Sequence, residues 1–190
     1  MRLLAALSAF LLLAYPFVVY LGIERFGLQS VAIVLAVLFL SRLFFGNKSG
    51  VNELKYLAWL TGSIGVVLLS LGYLFNQIGW LTYYPVIVNV CLFLLFFSSL
   101  KKKQTLVERL ARIQQPDLPD SGVIYTRKVT KVWCCFFIIN GSIALTTCFL
   151  SMEIWTLYNG LISYLAMGTL FIIEYLVRLR VQKKQNNNVI

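Results

Sequence analysis

Long runs of hydrophobic residues dominate the chain, and shorter polar segments separate them. Each run has few or no charged residues and is close to the ~20 residues that an α-helix needs to cross ~30 Å of hydrocarbon. The runs lie at residues 3–22, 28–45, 56–75, 81–100, 132–152 and 154–176. Strands of a membrane barrel would alternate polar and apolar positions, which these runs do not. The pattern therefore predicts an all-α, polytopic membrane protein with about six transmembrane helices.

Two of the six predicted spans are weaker than the rest. The second reaches Arg42 near its end, and the sixth contains Glu174. Four or five spans are therefore the alternatives to six. The connections on one side are short, so neighbouring helices are expected to form antiparallel hairpins within a single membrane domain of residues 1–190.

Composition supports a membrane protein and excludes several other classes. Of the 190 residues 59% are hydrophobic, and the mean hydropathy is +0.81, which is more apolar surface than a soluble domain of this length can bury. The four cysteines lie within the apolar runs without metal-ligand spacing, and the chain has no histidine. We therefore predict no metal site.

The basic residues predict the orientation of the chain. With six spans, every Lys and Arg except Arg25 falls on one side of the membrane. The positive-inside rule then places both termini and the long segment 101–131 in the cytoplasm. The net charge of +10 follows the loops, so membrane lipids and not nucleic acids are the expected partners.

Tryptophan positions agree with this topology, because Trp prefers the headgroup level. On six spans, Trp59 and Trp133 are expected near the cytoplasmic face and Trp80 and Trp155 near the outer face.

Residues 101–131 form the only long connection in the predicted topology. A short amphipathic helix is expected at about 105–115, opened by a capping box of Thr105 and Glu108 and ended by Pro116. The segment is either a solvated connector or a docking surface for a partner or headgroup. The candidate binding residues are Arg109, Arg112, Asp117, Asp120, Tyr125, Arg127 and Lys128.

Polar residues within the runs form a second candidate site. Asn89, Asn140 and Asn159 either join helices or bind a ligand, since an unpaired polar group in hydrocarbon is costly. Asn89 follows Pro85 by four residues and is expected to bond a carbonyl freed by a proline kink. Glu174 either pairs with Arg178 one turn later or faces a proton-carrying or substrate-binding site.

The chain contains no recognisable catalytic motif. A Walker A sequence, a His-containing acyltransferase or protease motif, and a paired-aspartate motif for Mg²⁺ are all missing from the sequence. We therefore predict no catalytic residue and no cofactor.

Several stretches in order resemble a family of uncharacterised bacterial inner-membrane proteins found among genes for aryl polyene and related fatty-acid-like lipids. The stretches are "YPVIVN", "ERLAR", "PDLPDSGVIYTRKVTKVW", "FFIINGSIA" and "WTLYNGLISYLAMGTLFIIEYLVR", within residues 84–178. The resemblance implies a multi-pass protein of the bacterial inner membrane with acyl carrier protein and other cytosolic biosynthetic enzymes nearby. It implies no catalytic residues. The last hairpin also shows a weaker similarity to small intracellular septation membrane proteins.

Three functions are compatible with these features. The first is an accessory or scaffold component of lipid biosynthesis that docks acyl-chain machinery or anionic headgroups through residues 101–131. The second is a small transporter for a lipid or intermediate, lined by the polar intramembrane residues. The third is a membrane-bound acyl or prenyl transferase. A homo-oligomer is compatible with all three.

Overall fold

The computed structural model describes residues 16–17, 19–22, 25, 33–37, 39–40, 52–75 and 79–187. Within these residues the protein is all-helical, without β-strands, as the hydrophobic pattern predicts. The elements are α1 (Asn52–Leu74), α2 (Gly79–Thr82), α3 (Tyr84–Leu100), α4 (Leu106–Gln114), α5 (Asp120–Thr147), α6 (Met152–Leu157), a π-helical turn (Tyr158–Ile162) and α7 (Ser163–Asn187). The described residues between positions 16 and 40 are also helical.

Three helical stretches are long and apolar enough to cross a membrane: Gly79–Leu100, Asp120–Thr147 and Met152–Val181. They contain the predicted spans 81–100 and 154–176 and most of 132–152, whose helix ends at Thr147. A shorter apolar helix, Trp59–Leu74, occupies most of the predicted span at 56–75. The predicted spans 3–22 and 28–45 lie largely outside the described residues.

The helices extend beyond the apolar runs from which they were predicted. Helix α5 begins at Asp120, within the stretch 101–131 that the sequence suggested as a connection, and α7 continues past residue 176. Hydropathy detects only the part of a helix that lies in hydrocarbon, whereas polar residues continue the helix outside it. The connection between α3 and α5 is therefore residues 101–119.

Pro85 interrupts the helix near the start of α3. It lies in the first turn, where its missing N–H is tolerated, and the helix breaks at Tyr83, between α2 and α3. Pro85 thus lies at the start of α3 and within the longer stretch Gly79–Leu100. The Thr82 carbonyl beside this break accepts a 3.0 Å hydrogen bond from Trp155 Nε1 of α6.

Buried residues form two hydrophobic clusters. The first joins the helical residues near the N-terminus to α1, α2, α3 and α6, through Val19, Leu35, Phe39, Leu68, Leu81, Tyr84 and Trp155. The second centres on Val129, Trp133 and Phe137 of α5, against which residues of α3, α4 and α7 pack. In the second cluster the ring centroids of Trp133 and Phe171 lie 4.5 Å apart.

Two of the four tryptophans are buried in these clusters. Trp133 is 5% exposed and Trp155 is 1% exposed, whereas Trp59 is 60% exposed. The depth predicted for Trp133 and Trp155 stays a prediction, and the structure adds that both rings are enclosed by protein. The position of a Trp along the sequence predicts its depth in the membrane, but not which side of the helix it lies on.

Candidate functional site

Asn89 and Asn140 form the centre of a buried hydrogen-bond network. Asn140 Nδ2 donates to Asn89 Oδ1 at 3.0 Å, and the Tyr158 hydroxyl donates to Asn140 Oδ1 at 2.9 Å. Asn89 Nδ2 donates to the Pro85 carbonyl at 2.9 Å. The bonded carbonyl is that of Pro85 itself, one turn back in the same helix. The network joins α3, α5 and the π-helical turn.

Asn159 extends the same region into the last hairpin. Its Nδ2 donates to Thr147 Oγ1 at 3.0 Å and to the Trp155 carbonyl at 2.9 Å. Because Asn159 is 4% exposed, these bonds satisfy an amide that would otherwise be costly to bury.

Gly141 allows the two asparagine-bearing helices to approach closely. A Cβ atom at this position would lie 3.0 Å from the Cβ of Asn89, which is closer than side chains normally pack. Small residues permit this kind of backbone approach between membrane helices. The three asparagines are thus arranged as helix-joining residues.

Glu174 lies apart from the asparagines. It lies about 22 Å from Asn159 along the last helix, given a helical rise of about 1.5 Å per residue. The Tyr125 hydroxyl donates to the Glu174 carbonyl at 3.0 Å and approaches Glu174 Oε1 at 3.5 Å. The predicted polar residues therefore form two groups instead of one continuous path.

Tyr125 and Glu174 lie on a cavity of about 390 Å³. Helices α3, α4, α5 and α7 surround it, together with residues 115–119. Its walls are mostly apolar and include Phe96, Val129 and Trp133. The volume is within the range of small-molecule sites. Sequence reasoning missed this cavity, because hydrophobic spacing does not reveal a space between helices.

Helix α4 packs across one end of the bundle. Thr105 Oγ1 caps it by accepting from the Glu108 N–H at 3.3 Å, and the Leu106 N–H donates to Ser99 Oγ of α3 at 3.1 Å. Thr105, Leu106 and Glu108 are all buried. The amphipathic segment is therefore a packed part of the bundle.

Two arginines that the sequence suggested for partner binding make internal bonds. Arg112 Nε contacts Glu108 Oε1 at 3.0 Å, and its Nη1 donates to the Pro116 carbonyl at 2.9 Å. Arg127 of α5 donates to the Leu100 carbonyl at the end of α3. Both side chains stabilise the connection between α3 and α5.

The other candidate residues of this region differ in exposure. Asp117, Asp120 and Lys128 are exposed, and Arg109 is half-buried. Lys101, Lys102 and Lys103, which were not among the predicted site residues, are also exposed. The consecutive lysines in the sequence were the signal for this group. We call Lys101, Lys103 and Lys128 the lysine surface.

Replacing Arg112 with Ala should loosen α4, because it leaves the Glu108 carboxylate, 3% exposed, without its partner. We expect the free energy that protects the α4 backbone amides from exchange to fall by about 1–3 kcal/mol. Hydrogen exchange of residues 105–119 would measure this loss. The double variant Glu108→Ala with Arg112→Ala should lose less protection than Arg112→Ala alone, since no buried carboxylate remains. Equal loss in both variants would contradict this role.

No protein-family model, curated protein or solved structure matches the chain. Among the described residues, no group of His, Cys, Asp and Glu side chains is arranged to hold a metal ion. The site is therefore characterised by its own geometry, which consists of a cavity, a packed helix across one end of it, and an exposed basic surface.

Proposed function

We propose that this protein is a membrane component of a bacterial lipid-biosynthetic system. In this proposal the chain crosses the inner membrane six times, with both termini in the cytoplasm, and docks an acidic acyl carrier protein through the connection between α3 and α5. With six spans, every Lys and Arg except Arg25 lies on one side of the membrane, which supports this topology. The resemblance to a family found with aryl polyene genes supports the pathway.

The observation that carries the docking proposal is the packed state of α4. The bonds of Leu106 to Ser99 and of Arg112 to Pro116 hold this segment against the bundle. A flexible basic tail would have to be ordered on binding, at a cost in conformational entropy. Lys101 and Lys103 directly precede this packed helix, and Lys128 lies on α5 next to Arg127, whose bond to the Leu100 carbonyl joins α5 to the start of the connection.

Charge favours an acidic protein as the docking partner. Lys101, Lys103 and Lys128 are exposed. Glu108 is buried and paired with Arg112, so Asp117 and Asp120 are the exposed acids between residues 101 and 128. Clustered charges of one sign attract and orient a partner of the other sign. Acyl carrier proteins are acidic and bring acyl chains to membrane enzymes.

Reversing the charge of the lysine surface tests this proposal. The triple variant Lys101→Glu, Lys103→Glu and Lys128→Glu should capture acyl carrier protein about 100-fold less well at low ionic strength, since close charge pairs contribute roughly 1 kcal/mol or more each. Capture would be measured with the purified full chain in lipid nanodiscs.

The matched control replaces the same three lysines with arginine. Because it keeps the charge, it should retain capture within about two-fold at low salt. Unchanged capture by the glutamate variant would refute docking through this surface.

The transporter and transferase alternatives have less support. Asn89, Asn140 and Asn159 all bond to protein groups, so they do not offer free ligand contacts. Glu174 is the member of the intramembrane set that borders the cavity.

A further inference from the structure

We infer that the cavity between α3, α4, α5 and α7 binds one single-chain acyl lipid with an uncharged polar end. This inference deepens the proposed function by naming a ligand of the same region. It rests on the proposed membrane placement but not on the docking partner.

The cavity has one apolar end and one polar end. On α5 the lining residues recur every three or four positions, from Gly122 through Tyr125 and Val129 to Phe137, so they share one face. On α7 the corresponding residues run from Met167 to Arg178 in the opposite direction. The hydrogen bond of Tyr125 to Glu174 fixes this antiparallel register. The polar side chains thus gather at the α4 end, among apolar ones such as Leu110 and Leu118, and the other end is lined by apolar side chains.

The dimensions fit one hydrocarbon chain. From Gly122 to Phe137 the lining of α5 extends about 22 Å, so the cavity of about 390 Å³ is elongated along the helices. An elongated space of this volume fits one extended chain better than the two chains of a phospholipid. If each methylene group takes up ~30 Å³, as a water molecule does in the liquid, the cavity holds about a dozen methylene groups.

The polar end suits a neutral head. Glu174 and Arg178 both border it, so their formal charges offset each other. Gln115 adds donors and an acceptor, and the Tyr125 oxygen, whose hydrogen bonds the Glu174 carbonyl, adds an acceptor. Such a set can bond an acyl carbonyl and an adjoining hydroxyl or amide together.

The apolar end is closed by the asparagine network. Leu92 and Phe137 are the last lining residues on α3 and α5, and Asn89 and Asn140 lie one turn further, joined by their 3.0 Å hydrogen bond. A bound chain would therefore enter from the α4 end with its terminal methyl group directed towards this network.

Photolabelling of the full chain in nanodiscs tests the inference. The probe is a monoacylglycerol with a diazirine near the end of its chain, and labelled residues are mapped by mass spectrometry. We expect labelling of Val129, Trp133 and Phe137 on the cavity face to exceed labelling of Ile138 and Ile139, which are 51% and 61% exposed on the outer face. A diacyl phosphatidylglycerol that carries a diazirine should instead label the exposed Ile138 and Ile139.

Two tryptophan substitutions on α4 provide the matched comparison. Ala111 lines the cavity, whereas Ile113 is 63% exposed. Ala111→Trp should reduce cavity labelling about ten-fold, since displacing two buried methylene groups changes affinity by that order. Ile113→Trp should leave it unchanged, and the thermal unfolding midpoint of each variant checks folding.

Either of two results would overturn the inference: equal labelling of both faces by the monoacyl probe, or cavity labelling by Ala111→Trp protein equal to that of the wild type. Loss of carrier-protein capture with intact labelling would remove the docking function and leave the cavity site. Intact capture without cavity labelling would remove the cavity site and leave the docking function.

Discussion

Replacing Trp155 with Ala is expected to lower the free energy of unfolding by about 3–5 kcal/mol, the range for truncating a buried Trp. The side chain is 1% exposed and packs in the first hydrophobic cluster with Leu81 and Tyr84. Its indole N–H also bonds the Thr82 carbonyl at 3.0 Å. The substitution removes both the packing and the bond. The loss would be measured by SDS-induced unfolding in mixed micelles.

Two further variants separate these contributions. Trp155→Phe keeps most of the ring packing and should cost about 1–2 kcal/mol, mainly through the lost hydrogen bond. Trp59→Ala removes an indole that is 60% exposed and should change stability by only about 0.5 kcal/mol. If Trp155→Ala were no more destabilising than Trp59→Ala, the burial of Trp155 would be incorrect.

Asn140→Leu should lower stability by about 1–3 kcal/mol, because Asn140 makes two interhelical bonds and each contributes roughly 0.6–1.7 kcal/mol in a membrane. The substitution keeps the side-chain volume similar but leaves Asn89 Oδ1 and the Tyr158 hydroxyl without these bonds. The same unfolding measurement applies. Ser142→Leu, at an exposed position of the same helix, is the control and should stay within about 0.5 kcal/mol of the wild type.

A double-variant cycle tests the pairing directly. If Asn89 and Asn140 act through their shared bond, Asn89→Leu combined with Asn140→Leu should cost less than the sum of the single losses. Strict additivity would mean that the two side chains stabilise the bundle independently.

The sequence predicted well those features that depend on local spacing. The capping of α4 by Thr105 follows from the Thr-x-x-Glu pattern, and the structure contains this bond. Apolar run length predicted the helices that contain Gly79–Leu100 and Met152–Val181. Each of these features is determined by residues within a few turns of one another.

The candidate site was harder to predict because lipid and protein interior are both apolar. Hydropathy therefore cannot tell that Trp133 faces protein while Ile139 is 61% exposed. Arg112 and Arg127 were suggested as partner contacts since their charge is visible in the sequence, but their bonds to Pro116 and Leu100 are not. The start of α5 at Asp120 was missed for a related reason, because polar residues can continue a helix outside the hydrocarbon.

The close approach at Gly141 restricts how the bundle can move. The Cβ of Asn89 already lies where a side chain at Gly141 would begin, and the Asn89–Asn140 bond spans the same crossing. Helices α3 and α5 are therefore held together at this crossing, which would act as a pivot if the two helices separated. Any separation of the two helices must grow with distance from that pivot and be greatest where α4 packs. A small displacement of α4 would then accompany the entry or exit of anything held between them.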